Sequence, residues 1–68
     1  MRVQLNGEWI ELPEGCTLKD LLERLSIDPT QIGVAVAINQ QVIPRAAWGS
    51  HPLAEGDKVE IVYARQGG

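Results

Sequence analysis

Apolar and polar residues alternate along the first twelve residues of the chain. The alternation is interrupted by Asn6-Gly7, a pair that tolerates the positive φ angles of a tight hairpin turn. The pattern therefore predicts a β-hairpin. With Ile10 and Leu12 on its inward face, Trp9 lies on the opposite face, where a large aromatic side chain stays partly exposed.

The next segment has the periodicity of an amphipathic helix. Its apolar stripe is formed by Leu18, Leu21, Leu22 and Leu25. Thr17 supplies an N-cap hydroxyl, and Asp20 places an acid in the first turn, where the helix dipole favours negative charge. We therefore predict a helix that begins at Leu18. We expect Asp28-Pro29 to stop it, because the residue before a proline is disfavoured in the α conformation.

Strand patterns dominate the second half of the chain. Residues 34–38 form a continuous apolar run whose alanines fall on one face, and residues 42–43 form a short strand that Pro44 confines to a sheet edge. Residues 46–48 could form one helical turn. Residues 58–64 carry the strongest strand pattern and follow a turn signal.

The order of these elements predicts an α+β fold. We expect a mixed four- to five-stranded sheet with one main helix packed on one face, which is the order of the ubiquitin-like β-grasp. The pattern does not exclude other small α+β arrangements. It predicts a β-grasp domain over residues 1–64 and a flexible tail over residues 65–68.

Composition limits the classes of function. The chain has 68 residues, of which 44% are hydrophobic, so it holds a single domain too small for a substrate pocket, a catalytic set and a cofactor site together. A net charge of −3 argues against nucleic-acid binding. One cysteine and one histidine exclude a disulfide framework and a cysteine/histidine zinc site. Without a signal core or a membrane-length apolar run, the sequence indicates a cytoplasmic protein.

The last four residues, Arg65-Gln66-Gly67-Gly68, are the chemically informative feature. Four extended residues reach about 13 Å, which would carry the carboxylate of Gly68 into a partner's active site. Glycines without Cβ atoms can pass a narrow channel and leave the terminal carbonyl open to attack. A carboxylate is a poor electrophile, so it would need activation by a partner. The alternative is an incidental glycine end without function.

A longer segment is more specific. Residues 36–45 read Val-Ala-Ile-Asn-Gln-Gln-Val-Ile-Pro-Arg and are followed by Trp48. Together with Gly56-Asp57 and the terminal Gly67-Gly68, this segment resembles the ThiS family of sulfur carriers in thiamine biosynthesis. The resemblance spans essentially the whole chain, whereas the glycine pair alone is shared with other sulfur carriers and with ubiquitin-like modifiers.

The resemblance implies a protein substrate and not an enzyme. In this family a ubiquitin-activating-enzyme-like adenylyltransferase uses ATP and magnesium to adenylate the terminal carboxylate, here on Gly68. Sulfur from a donor such as a cysteine desulfurase then replaces AMP, and the resulting thiocarboxylate supplies thiazole synthase. Arg65, Gln66 and Gly67 would give Gly68 access to both active sites. The implied protein is a monomer when free, and it binds no cofactor, metal, nucleic acid or membrane.

Other functions remain open at this point. The chain could be a sulfur carrier of another pathway, such as the small subunit of molybdopterin synthase or a carrier for tRNA thiolation. It could also be a modifier joined through Gly68 to lysines, or an interaction domain whose tail is incidental.

Two exposed apolar residues are candidates for partner docking. Trp9 is expected on the sheet face away from the helix. Val62 is out of phase with Val59, Ile61 and Tyr63 on the last strand, which puts it on that same outer face, beside the tail.

Four other residues favour structural roles. Cys16 precedes the helix N-cap, where a small semi-buried side chain is useful. His51 is expected in a loop without a catalytic partner, and Trp48 is expected to anchor the irregular segment. Arg45 is interpreted as a loop brace that bonds nearby carbonyls, in preference to a phosphate ligand.

Overall fold

A computed structural model describes residues 1–63. In chain order the elements are β1 (Arg2–Leu5), β2 (Glu8–Glu11), α1 (Leu18–Arg24), β3 (Val34–Ile38), β4 (Gln41–Val42), a 3₁₀ helix (Arg45–Ser50) and β5 (Lys58–Tyr63). Every predicted strand and the predicted helix are present, although β4 begins and ends one residue earlier than expected. The predicted boundary between residues 64 and 65 lies outside the described residues.

The strands form one mixed sheet in the order β2-β1-β5-β3-β4. The β1–β5 pair is parallel and the other pairs are antiparallel. The helix contributes three buried leucines to a core shared with the inward residues of the sheet. This is the predicted α+β architecture. The last strand, β5, is the middle strand of the sheet, and beyond Val59 it pairs with β3 but no longer with β1.

Two tight turns set the register of the antiparallel pairs. Asn6 and Gly7 have φ angles of 49° and 89°, and Asn39 and Gln40 have φ angles of 52° and 70°. Two consecutive positive φ angles are typical of type I′ turns, whose twist matches that of the flanking strands. The hairpin predicted at Asn6-Gly7 is therefore confirmed, and a second one joins β3 to β4.

The helix begins where the sequence predicts and ends earlier. Thr17 and Asp20 form a capping box, in which the Asp20 N–H donates to Thr17 Oγ1 at 3.2 Å and the Thr17 N–H donates to Asp20 Oδ2 at 3.1 Å. The hydrogen bond from the Thr17 backbone is the largest of the causes that lower the pKa of Asp20, followed by the hydrogen bond with the Thr17 side chain. The N-terminal cap is therefore complete.

The helix end was expected at Asp28-Pro29, and that expectation is wrong. The last helical residue is Arg24, and Ser26 adopts a left-handed φ of 61°. The Ile27 N–H donates to the Leu22 carbonyl at 2.8 Å, and the Ser26 N–H donates to the Glu23 carbonyl at 3.0 Å. These two bonds form a Schellman motif, which ends the helix before the proline acts.

The core uses the large residues on the inward face of the sheet. Its buried apolar residues are Val3, Leu12, Cys16, Leu18, Leu21, Leu22, Val34, Val36, Ile38, Trp48, Leu53, Val59 and Ile61. Ala35 and Ala37 lie on the opposite face of β3, as the run of small and large residues predicts. Leu25 was expected in the apolar stripe but is partly exposed, because the helix ends before it. Across residues 1–63, no helix has the length and apolar character to span a membrane.

Candidate functional site

The site predicted from the sequence centres on the residues that follow β5. Gly68, Gly67, Gln66 and Arg65 lie outside the described residues. Tyr63 is the last described residue, so the geometry of the site is that of the surface around it. If Gly68 carries the predicted chemistry, this is the described surface from which the chain continues towards it.

The end of β5 is held on both sides. On one side it pairs with β3 from Val59 to Tyr63, with Tyr63 opposite Val34. On the other side β1 ends at Leu5, and the Asn6 side chain continues the pairing. Asn6 Oδ1 accepts the Ile61 N–H at 2.9 Å, and Asn6 Nδ2 donates to the Ile61 carbonyl at 3.4 Å. The side-chain amide of Asn6 therefore makes the hydrogen bonds to Ile61 that a further residue of β1 would otherwise make.

An apolar depression lies on the outer face of the sheet beside this end. Val62 is 60% exposed and lies opposite Ala35 on the neighbouring strand. Val42, which is 70% exposed, lies opposite Ala37 on the edge strand. These four side chains line one shallow depression together with Gln40 and Glu60. We call Val62, Ala35, Ala37 and Val42 the outer patch.

Trp9 shares the outer face but not the outer patch. It is 52% exposed, as predicted, and Arg2 stacks over its ring with 5.2 Å between the guanidinium carbon and the ring centroid. Trp9 lies level with Gln4 on β1, which lies level with Lys58 at the start of β5. Trp9 and Val62 are separated by two strand spacings across the sheet and by four residues along β5. Together these separations correspond to about 16 Å. The structure therefore does not bring the two predicted docking residues together.

A second apolar group lies at the same end of the sheet. Tyr63 alternates in phase with the inward-facing residues Val59 and Ile61, but its side chain is 52% exposed. Ile32 is 84% exposed and precedes Val34, the partner of Tyr63, by two residues. No pattern in the sequence singled out Ile32.

Arg45 holds this connection in place. Its guanidinium donates to the Pro29 carbonyl and, at 2.6 Å, to the Gln31 carbonyl. The same guanidinium stacks over the Trp48 ring at 4.5 Å from the centroid. Trp48 is buried and donates its indole N–H to the Ile43 carbonyl at 2.8 Å. The structure therefore confirms Arg45 as a loop brace and Trp48 as an anchor.

The start of the same connection is ordered by its own side chains. The Thr30 backbone N–H and hydroxyl donate to Asp28 Oδ1 at 2.9 and 2.7 Å. These two hydrogen bonds, the backbone one first, are the main causes that lower the pKa of Asp28. Residues 28–31 are thus held from within by Asp28 and from outside by Arg45.

The start of β5 is tied to the β3–β4 turn. Asn39 Nδ2 donates to Asp57 Oδ1 at 3.1 Å, and Asn39 Oδ1 accepts the Lys58 N–H at 3.0 Å. Asp57 Oδ2 also accepts the Ala54 N–H at 2.8 Å. Asn39 and Asp57 therefore support the start of the strand that leads to the tail.

Cys16 and His51 show no catalytic arrangement within residues 1–63. Cys16 is buried, and its thiol contacts the Thr17 carbonyl at 3.6 Å. Burial, followed by the charge of Asp20, raises the pKa of the thiol, whereas Arg24 lowers it. His51 lies in a loop, where its carbonyl accepts the Leu18 N–H at 3.1 Å. No cluster of three potential metal-binding side chains occurs in this part of the chain.

Comparison with known proteins decides the family. The sequence model of the ThiS family matches residues 3–68. The chain belongs to the ThiS family. It is 37% identical to the sulfur carrier protein ThiS of Escherichia coli (strain K12) over 68 residues, which cover 100% of both chains.

A solved ThiS structure supports the same assignment. The crystal structure of the thiamine biosynthesis protein ThiS from Geobacter metallireducens superimposes with a TM-score of 0.83 at 28% identity, covering 100% of both chains. The β-grasp fold expected from the order of the elements is therefore confirmed.

A ThiS-like sequence also occurs within larger relatives. The chain is 38% identical over 68 residues to the thiazole synthase of Magnetococcus marinus and covers 20% of that protein. A segment similar to the whole ThiS chain is therefore part of the same polypeptide as a thiazole synthase in that organism.

The segment that carries the ThiS resemblance is structural in its described part. Asn39 and Asp57 support β5, while Arg45 and Trp48 hold the connection before β3. The predicted chemistry of this ThiS member rests on Gly68, and the predicted docking on Val62 and Trp9.

Proposed function

We propose that the protein is a sulfur carrier for thiazole formation in thiamine biosynthesis. The observation that carries this proposal is the match to the ThiS family over residues 3–68, which includes the glycine pair. In this function the β-grasp domain is a handle that partners recognise, and the carboxylate of Gly68 carries the sulfur. Gly67, Gln66 and Arg65 give that carboxylate access to the partners' active sites.

The loading chemistry requires two partners. In an adenylyltransferase related to ubiquitin-activating enzymes, an oxygen of the Gly68 carboxylate attacks the α-phosphorus of ATP and pyrophosphate leaves. Magnesium belongs to that active site. The terminal sulfur of a persulfide, supplied by a cysteine desulfurase or a related donor, then attacks the acyl carbon, and AMP leaves. A thiol cleaves the resulting S–S bond by forming a new disulfide, which releases the thiocarboxylate.

The thiocarboxylate then delivers its sulfur to thiazole synthase. A ThiS-like segment within the thiazole synthase of Magnetococcus marinus supports this partnership, because fusion keeps the two functions in contact. The carrier itself performs no catalysis: it acts as a monomeric protein substrate with no bound cofactor. Because loading consumes ATP, we place it in the cytoplasm.

We propose the outer patch as a docking surface for these partners. It exposes Val62 and Val42 around two alanines, directly beside the strand that leads to the tail. Small residues at its floor leave room for a partner side chain, and exposed apolar patches on small proteins mark interaction sites. Trp9 lies too far away to belong to this patch, and its docking role stays a separate prediction.

Intact-mass spectrometry tests the loading step. The chain is incubated with ATP, magnesium, the adenylyltransferase, a persulfide donor and a thiol. We expect one oxygen to be replaced by sulfur, with the change confined to Gly68. Deletion of Gly68 and Gly68→Leu should abolish loading without changing the unfolding temperature, whereas Lys19→Ala, an exposed helix variant, should load normally. An unchanged wild-type mass with competent enzymes would refute the proposal.

Growth complementation identifies the pathway. The chain should restore growth of a thiazole auxotroph that lacks its own carrier and should fail to restore a molybdenum-cofactor mutant. The reverse result would assign the protein to molybdopterin synthesis.

Affinity measurements test the outer patch. We expect Val62→Ser to weaken binding to the adenylyltransferase about tenfold, because the side chain loses most of its apolar area. Val62→Ile, which keeps the surface apolar, is the matched control and should retain binding. Trp9→Ser, measured in parallel, decides whether the distant aromatic residue also docks. Unchanged binding of Val62→Ser would exclude the outer patch.

A further inference from the structure

The connection between α1 and β3 presents an apolar side chain at the end of the sheet from which the tail continues. Ile32 is 84% exposed, more than any other large apolar residue among residues 1–63. An isolated exposed residue needs no explanation, but Ile32 lies on a segment with several specific restraints. The backbone on either side of Ile32 is therefore held in place.

Those restraints come from both sides of Ile32. Two carbonyls before it, those of Pro29 and Gln31, accept hydrogen bonds from the Arg45 guanidinium. After it, Val34 begins β3 and is buried against the core. A guanidinium presents its donors in a rigid plane, so two carbonyl acceptors define the path of the segment more closely than one ammonium could.

The position of Ile32 relative to the tail follows from the register. Val34 and Tyr63 form the terminal pair of β3 and β5. In an antiparallel pair the residue before one strand and the residue after the other lie at the same end. Ile32 therefore lies at the end of the sheet from which residue 64 continues, with the exposed ring of Tyr63 beside this end.

The distance to Gly68 limits where a partner can bind. Gly68 follows Tyr63 by five residues, which span at most about 17 Å when extended. An enzyme that encloses Gly68 must therefore cover the surface around Tyr63. Val62 lies on the outer face of this end, and Ile32 lies in the connection that leads into it.

We propose that Ile32, held by Arg45, is a docking residue for thiazole synthase at the entrance through which that enzyme receives the tail. The proposal rests on the sulfur-carrier function given above. We assign thiazole synthase as the occupant because a relative joins a ThiS-like segment to that enzyme in one polypeptide. The partner surface that fits is an apolar rim around the entrance, because Ile32 offers only apolar atoms. Arg45 acts through Ile32 and is a positioning residue.

The test is the affinity of the unloaded full chain for thiazole synthase, measured by calorimetry. We expect Ile32→Ser to weaken binding about tenfold, since truncation of a docking anchor typically costs at least that factor. The matched control is Ile32→Leu, which keeps the apolar volume and should bind like the wild type. Both variants should unfold at the wild-type temperature, because the side chain is exposed.

A double-mutant cycle separates positioning from general stability. Arg45→Ala should weaken binding about threefold in the wild-type background and have no further effect in the Ile32→Ser background. Its effect on the unfolding temperature should be the same in both backgrounds. Additive losses of affinity would refute the positioning role of Arg45.

Two results would overturn the proposal for Ile32. One is equal affinity of the wild type and Ile32→Ser for thiazole synthase. The other is a loss of affinity that is confined to the adenylyltransferase. Sulfur loading of the wild type is measured separately by mass, so failure of the proposed function is distinguished from failure of this inference. Because the binding assay uses the unloaded chain, it decides the role of Ile32 in either case.

Discussion

Asn6 offers a sharp test of how the middle strand is held before the tail. Its side chain spans 55 residues of sequence to bracket Ile61, with a good hydrogen bond of 2.9 Å to the N–H and a weak one of 3.4 Å to the carbonyl. Asn6 also has a φ of 49°, which asparagine tolerates better than alanine. Substitution of Asn6 therefore changes the free energy of unfolding in two ways, through the hydrogen bonds to Ile61 and through the cost of the left-handed conformation.

The magnitude follows from these two contributions. Loss of the hydrogen bond to the Ile61 N–H costs about 1 kcal/mol of unfolding free energy. Placing alanine in the left-handed conformation costs about 1 kcal/mol more. We therefore expect Asn6→Ala to lose about 2 kcal/mol and Asn6→Gly about 1 kcal/mol, since glycine accepts the backbone conformation but supplies no amide. Asn6→Asp keeps the acceptor and should lose less than either.

Urea unfolding measures these differences. With a slope of about 1 kcal/mol per molar urea, the midpoint of Asn6→Ala should fall by about 2 M and that of Asn6→Gly by about 1 M. Hydrogen exchange of the Ile61 amide should accelerate in both variants. If Asn6→Gly unfolds at the wild-type midpoint with an equally protected Ile61 amide, the Asn6 side chain contributes nothing to the free energy of unfolding and the prediction is wrong.

Two further predictions concern the ends of the helix. Ser26→Gly should stabilise the domain by about 1 kcal/mol and raise Tm by roughly 4–8 °C, because Ser26 adopts the left-handed φ of a Schellman C′ position; Ser26→Ala should not, and a lower Tm for the glycine variant in calorimetry would contradict this. The pKa of Asp20 is lowered in the folded state, so the stability it contributes is present above the unfolded-state pKa and is lost as the pH falls through the folded-state pKa. Wild type and Asp20→Asn should therefore differ in urea midpoint at neutral pH and converge in acid, and a constant difference would exclude ionisation as the cause.

The features that the sequence predicted correctly are local ones. The Asn6-Gly7 turn, the Thr17 cap and the alternation along β5 each depend on residues a few positions apart. The alanines of β3 indicated an outer face without bulky side chains, and the structure confirms their placement. Such patterns can be recognised in a sequence because backbone conformation and side-chain direction repeat with short periods.

Most of the features that sequence reasoning missed depend on contacts between distant residues. The bracket from Asn6 to Ile61 spans 55 residues. Arg45 was predicted as a loop brace, but the carbonyls that it bonds, 14 and 16 residues away, were not. The helix end was misplaced because a serine in the left-handed conformation gives no strong sequence signal, whereas glycine would have. The separation of Trp9 from Val62 required the strand order, since alternation defines a face but not a position on it.

The segment from residue 36 to Trp48, which carries the family resemblance, supports neighbouring parts of the fold. Asn39 links the β3–β4 turn to the first residues of β5, and Arg45 links the 3₁₀ helix to the connection that enters β3. Both links act on the two strands whose terminal pair, Val34 and Tyr63, precedes the proposed reactive end. The proposed function requires one carboxylate to enter two different active sites, and the tail then needs a constant starting point, because each residue adds only about 3.4 Å of reach. We therefore expect variants of Asn39 and Arg45 to impair sulfur transfer through the placement of Tyr63 and Ile32, with the chemistry of Gly68 intact.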